Sequence, residues 1–138
     1  MAGRPEDEIF LDEPWVTIRW DSGLGCVHTE WKAFANSAEY RAAAMKAVEA
    51  IKERKAVAYL SDTRKTKLIV HKDQEWLDAV WVPLALAAGL KRAAVVTAAS
   101  GLGKMTVKEA ISMVNDRGLL IHTFDSIEAA REWVAGSA

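Results

Sequence analysis

The sequence contains one cysteine and no long apolar segment, and each of these features excludes a class of protein. Cys26 is the only cysteine among 138 residues, so no intramolecular disulfide can form, which is typical of a reducing compartment. No uncharged apolar run reaches the roughly 20 residues that a membrane-spanning helix needs. The polar, acidic N-terminus has no apolar stretch of the signal-peptide type. We therefore expect a cytoplasmic protein without a membrane span.

An excess of charge of one sign is also lacking. Lys and Arg number 18 and Asp and Glu number 19, which gives a net charge of -1. Nucleic-acid-binding proteins normally carry a strongly basic face, and anionic membranes attract polybasic segments. The composition therefore predicts neither a nucleic-acid partner nor a polybasic membrane patch. Hydrophobic residues make up 51% of the chain, which is enough to fill the core of one domain.

The chain is predicted to consist of a flexible N-terminal tail, residues 1–14, and a single domain, residues 15–138. The tail contains Pro5, Pro14 and five acidic residues. Ile9, Phe10 and Leu11 leave a second option open, in which this segment docks on the surface or adds an edge strand.

Apolar patterns predict the strands. Residues 16–20 and 26–31 alternate between apolar and polar side chains around a glycine-containing turn, which is typical of an antiparallel hairpin. Continuous apolar runs predict two buried strands, at 56–60 and 93–96, and residues 119–124 are predicted to form the last strand.

Helical patterns separate the strands. The helices are predicted to begin near Asn36, Asp73, Thr106 and Asp125 or Ser126. Two of these starts have the spacing of a capping box, Asn36 with Glu39 and Thr106 with Glu109. Pro83 is expected to kink or restart the second helix. The order β-β-α-β-α-β-α-β-α predicts an α/β protein with a single mixed, mostly parallel sheet flanked by helices.

The carboxyl edge of the sheet is the predicted ligand site, because ligands of open parallel sheets bind outside the carboxyl ends of the strands. Arg64 is expected to hold an anionic group that Asp62 orients; the alternative is a loop salt bridge between the two. The candidate ligand-binding residues are Trp31, Lys32, Phe34, Asp62, Arg64, Trp76, Trp81, Lys104 and Met105.

Two further patterns predict no chemistry. Residues 100–106 are similar to a phosphate-binding loop, but Ala98 and Met105 stand where the pattern needs glycine and Ser or Thr, so nucleotide hydrolysis is not expected. Cys26, His28 and Glu30 share one face of a strand, about 6.5 Å apart at each step, too far for a Cys–His nucleophile pair. We expect an exposed polar face there, and we predict no catalytic residue, metal site or cofactor.

Six tryptophans are many for a chain of this length. On an α-helix, Trp76 and Trp81 diverge by about 140°, so they cannot both point straight into one core. One of them is expected to face a pocket or a partner. Partial burial of both, or an oligomer interface, remain open alternatives.

The order of these segments resembles the SpoIIAA-like family of small STAS/SEC14-like bacterial proteins, over about residues 15–134. The segments that carry the resemblance are 30–34, 62–64, 73–77, 88–92, 103–105 and 124–126. It implies a sheet flanked by helices, frequent self-association and no established enzymatic activity. Better-known relatives, the anti-sigma-factor antagonists, carry a phosphorylatable serine in an Asp-Ser-Ser-type context. Here the corresponding loop has Asp62, Thr63 and Arg64 and lacks that motif.

These observations lead to three hypotheses about function. The first is a non-enzymatic regulatory or interaction module, expected to be a homodimer, that binds a protein partner or a small apolar or anionic ligand at the carboxyl edge. The second is a carrier of a lipid or apolar metabolite, with Trp31, Trp76, Trp81 and Met105 lining a cavity. The third is a small enzyme that uses Asp62 and Arg64.

Overall fold

A six-stranded sheet runs through the centre of the molecule, which is known from a computed structural model that describes residues 7–114 and 118–136. Within the sheet the strands follow their order in the chain. β1 to β3 are antiparallel neighbours and β3 to β6 are parallel ones. The predicted α/β class with a mixed sheet is confirmed. The strands are β1 (Glu8–Glu13), β2 (Val16–Asp21), β3 (Cys26–Trp31), β4 (Ala58–Asp62), β5 (Arg92–Val96) and β6 (Leu120–Phe124).

Helices cover both faces of this sheet. The first four pack on the face that presents Val16, Val27 and Tyr59, and the last packs on the face that presents Cys26 and Leu60. A π-helical turn, Leu77–Trp81, joins the second and third helices. The helices are α1 (Ser37–Arg54), α2 (His71–Trp76), α3 (Val82–Ala87), α4 (Leu102–Met113) and α5 (Ile127–Gly136).

The N-terminal segment differs from the predicted flexible tail. Glu8–Glu13 forms β1, which pairs with β2 along its length and contains a bulge between Ile9 and Leu11. Leu11 packs against the main core, and the Glu8 carboxylate accepts a hydrogen bond from Arg54 at 2.8 Å. The edge-strand alternative is therefore the correct one for this segment. Residues 1–6 lie outside the described part of the chain.

The two predicted capping boxes have different outcomes. At Asn36 the box is confirmed, because the Asn36 side chain accepts from the Glu39 N–H at 2.8 Å and the Glu39 carboxylate accepts from the Asn36 N–H at 2.9 Å. The box at Thr106 is wrong, since α4 already begins at Leu102. The Thr106 hydroxyl instead accepts the main-chain N–H of Ile69 at 3.0 Å and donates to the Leu102 carbonyl.

At Pro83 the predicted kink or restart takes the form of a change of helix type within one continuous helical segment. It lies in the first turn of α3, a position at which helices tolerate proline. Just before it, the N–H of Val82 reaches back five residues to the carbonyl of Leu77 and closes the π-helical turn. The chain thus passes Pro83 by widening one turn of helix rather than by breaking the helical segment.

Candidate ligand-binding site

A partly open cavity of about 110 Å³ lies between the sheet and the helical layer formed by α1, the π-helical turn, α3 and α4. Protein interiors contain few voids larger than a water molecule, so a space of this size is a distinctive feature of the molecule. The sheet contributes its floor, from Tyr59, Ser61, Ala93, Val95 and Ile121. The helices contribute its roof, from Tyr40, Ala44, Trp81, Val107, Ala110 and Ile111.

Small side chains create this space. Ala44 on α1, Ala93 on β5 and Ala110 on α4 all line the cavity and are almost fully buried. An alanine has no atom beyond Cβ, so three alanines from three elements leave a volume that larger residues would fill. The cavity therefore follows from the sequence at these positions rather than from a loose arrangement of the elements.

Aromatic rings form the rigid walls. The ring of Trp31 stacks on Tyr40 with a centroid separation of 4.9 Å and an interplanar angle of 25°. The rings of Tyr59 and Trp81 lie 5.6 Å apart, and the indole Nε1 of Trp81 donates to the carbonyl of Ala44 at 2.7 Å. These contacts fix the orientation of all four rings, so the walls resist collapse into the space.

Hydroxyl groups supply the polar part of the lining. The Tyr59 hydroxyl donates to Thr29 at 2.6 Å, and the Thr63 hydroxyl donates to the carbonyl of Val96 at 2.7 Å. Burial raises the pKa of Tyr59 to about 12, although hydrogen bonds with Thr29 and Ser61 act in the opposite direction. Burial likewise raises the pKa of Tyr40. Among the described lining residues there is no Asp, Glu, Lys, Arg or His, so the cavity is uncharged.

The π-helical turn changes the predicted relationship of two tryptophans. The divergence of about 140° assumes 100° per residue, and the wider turn breaks that assumption. Trp81 is buried and Trp76 half-buried, and both pack against the same apolar cluster. Trp81 lines the cavity, whereas Trp76 lies beneath the Arg41 guanidinium, which is 5.3 Å from its ring centroid. π-Helical turns are frequent at functional sites, which suits a turn that places Trp81 in the cavity wall.

Asp62 and Arg64 bind each other on the opposite side of the sheet. Arg64 Nε and Nη2 donate to the two Asp62 carboxylate oxygens at 2.9 and 2.7 Å. Burial alone would raise the pKa of Asp62, but the hydrogen bonds and charge of Arg64 outweigh it and hold that pKa below its ordinary value. This is the loop salt bridge that the sequence left open as an alternative.

The other candidate residues are dispersed along the carboxyl edge. Phe34 and Met105 are more than half exposed, and Lys104 Nζ donates to the carbonyl of Ala99 at 3.3 Å. Lys32 forms an ion pair with Asp12 at 3.2 Å. Of the nine candidates, the structure places Trp31 and Trp81 in the wall of the cavity, and the remaining seven lie outside it.

Thr63, in the loop after β4, points into the protein. It is 6% exposed, and its hydroxyl is already bonded to the carbonyl of Val96. A kinase would need local opening of the chain to reach it. Tyr40, Tyr59, Ser61 and Ala110 were absent from the predicted site. The alternation of β4 puts Tyr59 and Ser61 on one face and is the signal that could have found them.

The face that carries Cys26, His28 and Glu30 is not the exposed polar face that was predicted. Cys26 is fully buried and His28 is 5% exposed, because α5 and its neighbours pack over this side of the sheet. Burial raises the pKa of the Cys26 thiol to about 12, so the thiol is inert. Within residues 7–114 and 118–136, no group of His, Cys, Asp and Glu side chains has the arrangement of a metal site.

Comparison with known proteins gives no assignment. No model of a protein family matches this chain, and no curated protein matches its sequence. Within the part of the chain that the structure describes, no helix combines the length and the apolar character needed to cross a membrane.

Proposed function

We propose that this protein is a non-enzymatic binding protein for a small, neutral, largely apolar molecule, which it holds in this cavity. The observation that supports this proposal is the cavity of about 110 Å³ with its rigid aromatic walls. At about 24 cal/mol per Å³, a fully enclosed empty cavity of this size would cost about 2–3 kcal/mol of stability, which is an upper bound for this partly open one. A ligand that fills it restores part of that loss, which links occupancy to stability.

The shape and chemistry of the cavity limit the ligand. A designed apolar cavity of about 150 Å³ binds benzene, so this smaller space suits a molecule of about six heavy atoms or fewer. Apolar side chains favour a hydrocarbon body, and the hydroxyls of Tyr40, Ser61 and Tyr59 favour one polar group such as a carbonyl or an alcohol. A carboxylate or an amine would meet no opposite charge among the described lining residues.

The arrangement disfavours the enzyme hypothesis. The hydroxyls of Tyr40 and Tyr59 have raised pKa values and stay protonated at neutral pH, so they do not act as general bases. Asp62, the predicted orienting residue, has both carboxylate oxygens bound to Arg64. Binding without turnover is therefore the function that the geometry favours.

A regulatory role remains compatible with the cavity. In a SpoIIAA-like module, ligand binding would act on α1, α3 and α4, whose inner faces line the cavity and whose outer faces are available to a protein partner or a second copy. Because Trp81 belongs to both the cavity wall and the helical core, it is the direct link between occupancy and the position of α3.

Thermal denaturation with small probes tests the proposal. Benzene and cyclopentanone are expected to raise the melting temperature in a concentration-dependent way, whereas benzoate is not. Ala110→Leu, which fills the cavity, should abolish both shifts, and Ala87→Leu on the exposed side of α3 should keep them. If no neutral probe stabilises the protein, or if Ala110→Leu binds the probes as wild type does, the proposal is wrong.

A further inference from the structure

The carboxyl edge of the sheet concentrates exposed apolar side chains. Single exposed apolar residues are ordinary on protein surfaces, whereas a group of them marks an interaction site. Among the described residues ten large hydrophobic side chains are exposed, and half of them lie in the segments that follow β3, β4 and β5. These five are Phe34, Leu68, Val70, Leu102 and Met105.

Two of these segments lie against each other. The N–H of Ile69 donates to the Thr106 hydroxyl at 3.0 Å, which ties the loop after β4 to the second turn of α4. At Gly103 the backbone of that helix lies directly on the carbonyl of Thr66, leaving no room for a Cβ. Ile69 turns inward to the core, so its neighbours Leu68 and Val70 turn outward beside α4.

Positive charge surrounds these side chains. Residues 63–72 contain three lysines, Lys65, Lys67 and Lys72, besides Arg64, which is bound by Asp62, although the whole chain has a net charge of -1. In the described part of the chain, Lys65 and Lys67 form no ion pair, and Lys104 contacts only a main-chain carbonyl. A chain of balanced overall charge thus carries a local group of lysines.

Two of the nearby carboxylates are already paired with arginines rather than with these lysines. Asp62 is bound by Arg64 and Asp73 by Arg41, whereas Glu109 accepts a hydrogen bond from the neutral Gln74 amide and keeps its charge. Asp125, which follows β6, is exposed at the same edge. The lysines on the loop and on α4 thus remain available for an anionic partner.

We propose that this basic apolar edge, formed by Leu68, Val70, Leu102 and Met105 with Lys65, Lys67 and Lys104, docks on a lipid bilayer that contains anionic phospholipid. The apolar side chains enter the headgroup region and the lysines meet the lipid phosphates, each adding to the attraction. Lysine is depleted at protein–protein interfaces, whereas its long stem and mobile amine suit a membrane surface. The composition of the edge therefore favours lipid over a protein partner.

This inference goes beyond the proposed ligand binding, because docking uses only the outer surface of the loop and α4. It also places the two features close together. Ile69 and Val107 line the cavity from within the same two segments, so a docked protein holds its cavity just behind the lipid-facing side.

Sedimentation with extruded vesicles tests the proposal. The full-length protein should bind vesicles of equal parts phosphatidylcholine and phosphatidylglycerol, release at high salt, and stay in solution with phosphatidylcholine alone. The double variants Lys65→Glu/Lys67→Glu and Leu102→Glu/Met105→Glu should each weaken binding by roughly tenfold or more. Circular dichroism melting verifies that each variant is folded.

Matched controls separate this edge from the rest of the surface. Lys52→Glu/Lys55→Glu, at the end of α1, makes the same change in net charge, and Val80→Glu/Leu84→Glu replaces apolar side chains of lesser but comparable exposure. Both variants should bind anionic vesicles with an affinity within about twofold of that of wild type, and so should the cavity-filling variant Ala110→Leu. The proposal is overturned if wild type does not bind anionic vesicles, or if the control pairs weaken binding as much as the edge variants do.

Discussion

The rings of Tyr59 and Trp81 face each other at the cavity, 5.6 Å apart and inclined by 47°. One ring comes from strand β4 and the other from the π-helical turn, and each is anchored at its polar tip. Tyr59 donates to Thr29 at 2.6 Å and Trp81 donates to the carbonyl of Ala44 at 2.7 Å. The pair therefore connects the sheet, α1 and the π-helical turn at one point of the cavity wall.

Replacing Trp81 by phenylalanine should destabilise the protein. The change removes the donor to the Ala44 carbonyl and part of a buried ring, so we expect the free energy of unfolding to fall by about 1–3 kcal/mol. Urea denaturation measures it. Trp76→Phe is the matched control, because that indole is half-buried. This variant should lower the free energy of unfolding by less than about 1 kcal/mol. Equal losses for the two variants would contradict the role given to Trp81.

A larger side chain should be tolerated in the cavity but not in the packed core. Ala110 lines the cavity and Ala50 does not, although both are buried on helices. We expect Ala110→Leu to change the free energy of unfolding by less than about 1 kcal/mol, and Ala50→Leu to lower it by about 1–3 kcal/mol. Chemical denaturation of the two variants side by side provides the comparison. An Ala110→Leu protein as unstable as Ala50→Leu would mean that the space is not available to a side chain.

Gly103→Ala should disturb the contact between the loop after β4 and α4. A Cβ at this position would overlap the Thr66 carbonyl, which belongs to the main chain and cannot simply rotate away. We expect the free energy of unfolding to fall by about 1–3 kcal/mol and amide hydrogen exchange to become faster across residues 63–70. Gly136→Ala is the control, since open space surrounds that position, and it should be neutral or slightly stabilising. Unchanged exchange in Gly103→Ala would argue against a close contact.

Local patterns predicted the parts of the fold that depend on neighbouring residues. The alternation at 16–20 marks β2, and the spacing of Asn36 and Glu39 marks the start of α1. The same spacing at Thr106 and Glu109 failed, because the Thr106 hydroxyl bonds to Ile69, which is 37 residues away in the chain. Sequence spacing contains no information on that tertiary partner.

The cavity depends on which side chains meet across elements, and this is why it escaped prediction. Ala43 and Ala44 are adjacent, both buried and chemically identical, yet Ala44 lines the cavity and Ala43 does not. The π-helical turn adds a second reason, since it shifts the direction of Trp81 by changing the helical period. Trp31 and Trp81 could be predicted because a large, rare aromatic residue is a candidate for a binding site from its type alone, whereas the alanines that create the space are not.

His28 should make stability depend on pH. Burial, with the charge of Arg19, lowers its pKa to about 4, while Asp62 and Asp21 act in the opposite direction and Arg131 lowers it further. Neither ring nitrogen has a hydrogen-bond partner among the described residues. An unfolded histidine with an ordinary pKa near 6.5 binds a proton that the folded one does not, so stability falls as the pH drops from about 6.5 to about 4.

His28→Leu should remove most of this pH dependence. Between pH 7 and pH 4 the free energy of unfolding of wild type is expected to fall by roughly 3 kcal/mol because of His28, in addition to the decrease that both proteins share. The variant should be at least as stable as wild type at pH 7, because leucine leaves no buried nitrogen without a partner. Urea midpoints measured across this range give the comparison, and His71→Gln, at an exposed site, should keep the wild-type slope. Parallel curves for wild type and His28→Leu would show that His28 has the same pKa in the folded and the unfolded protein.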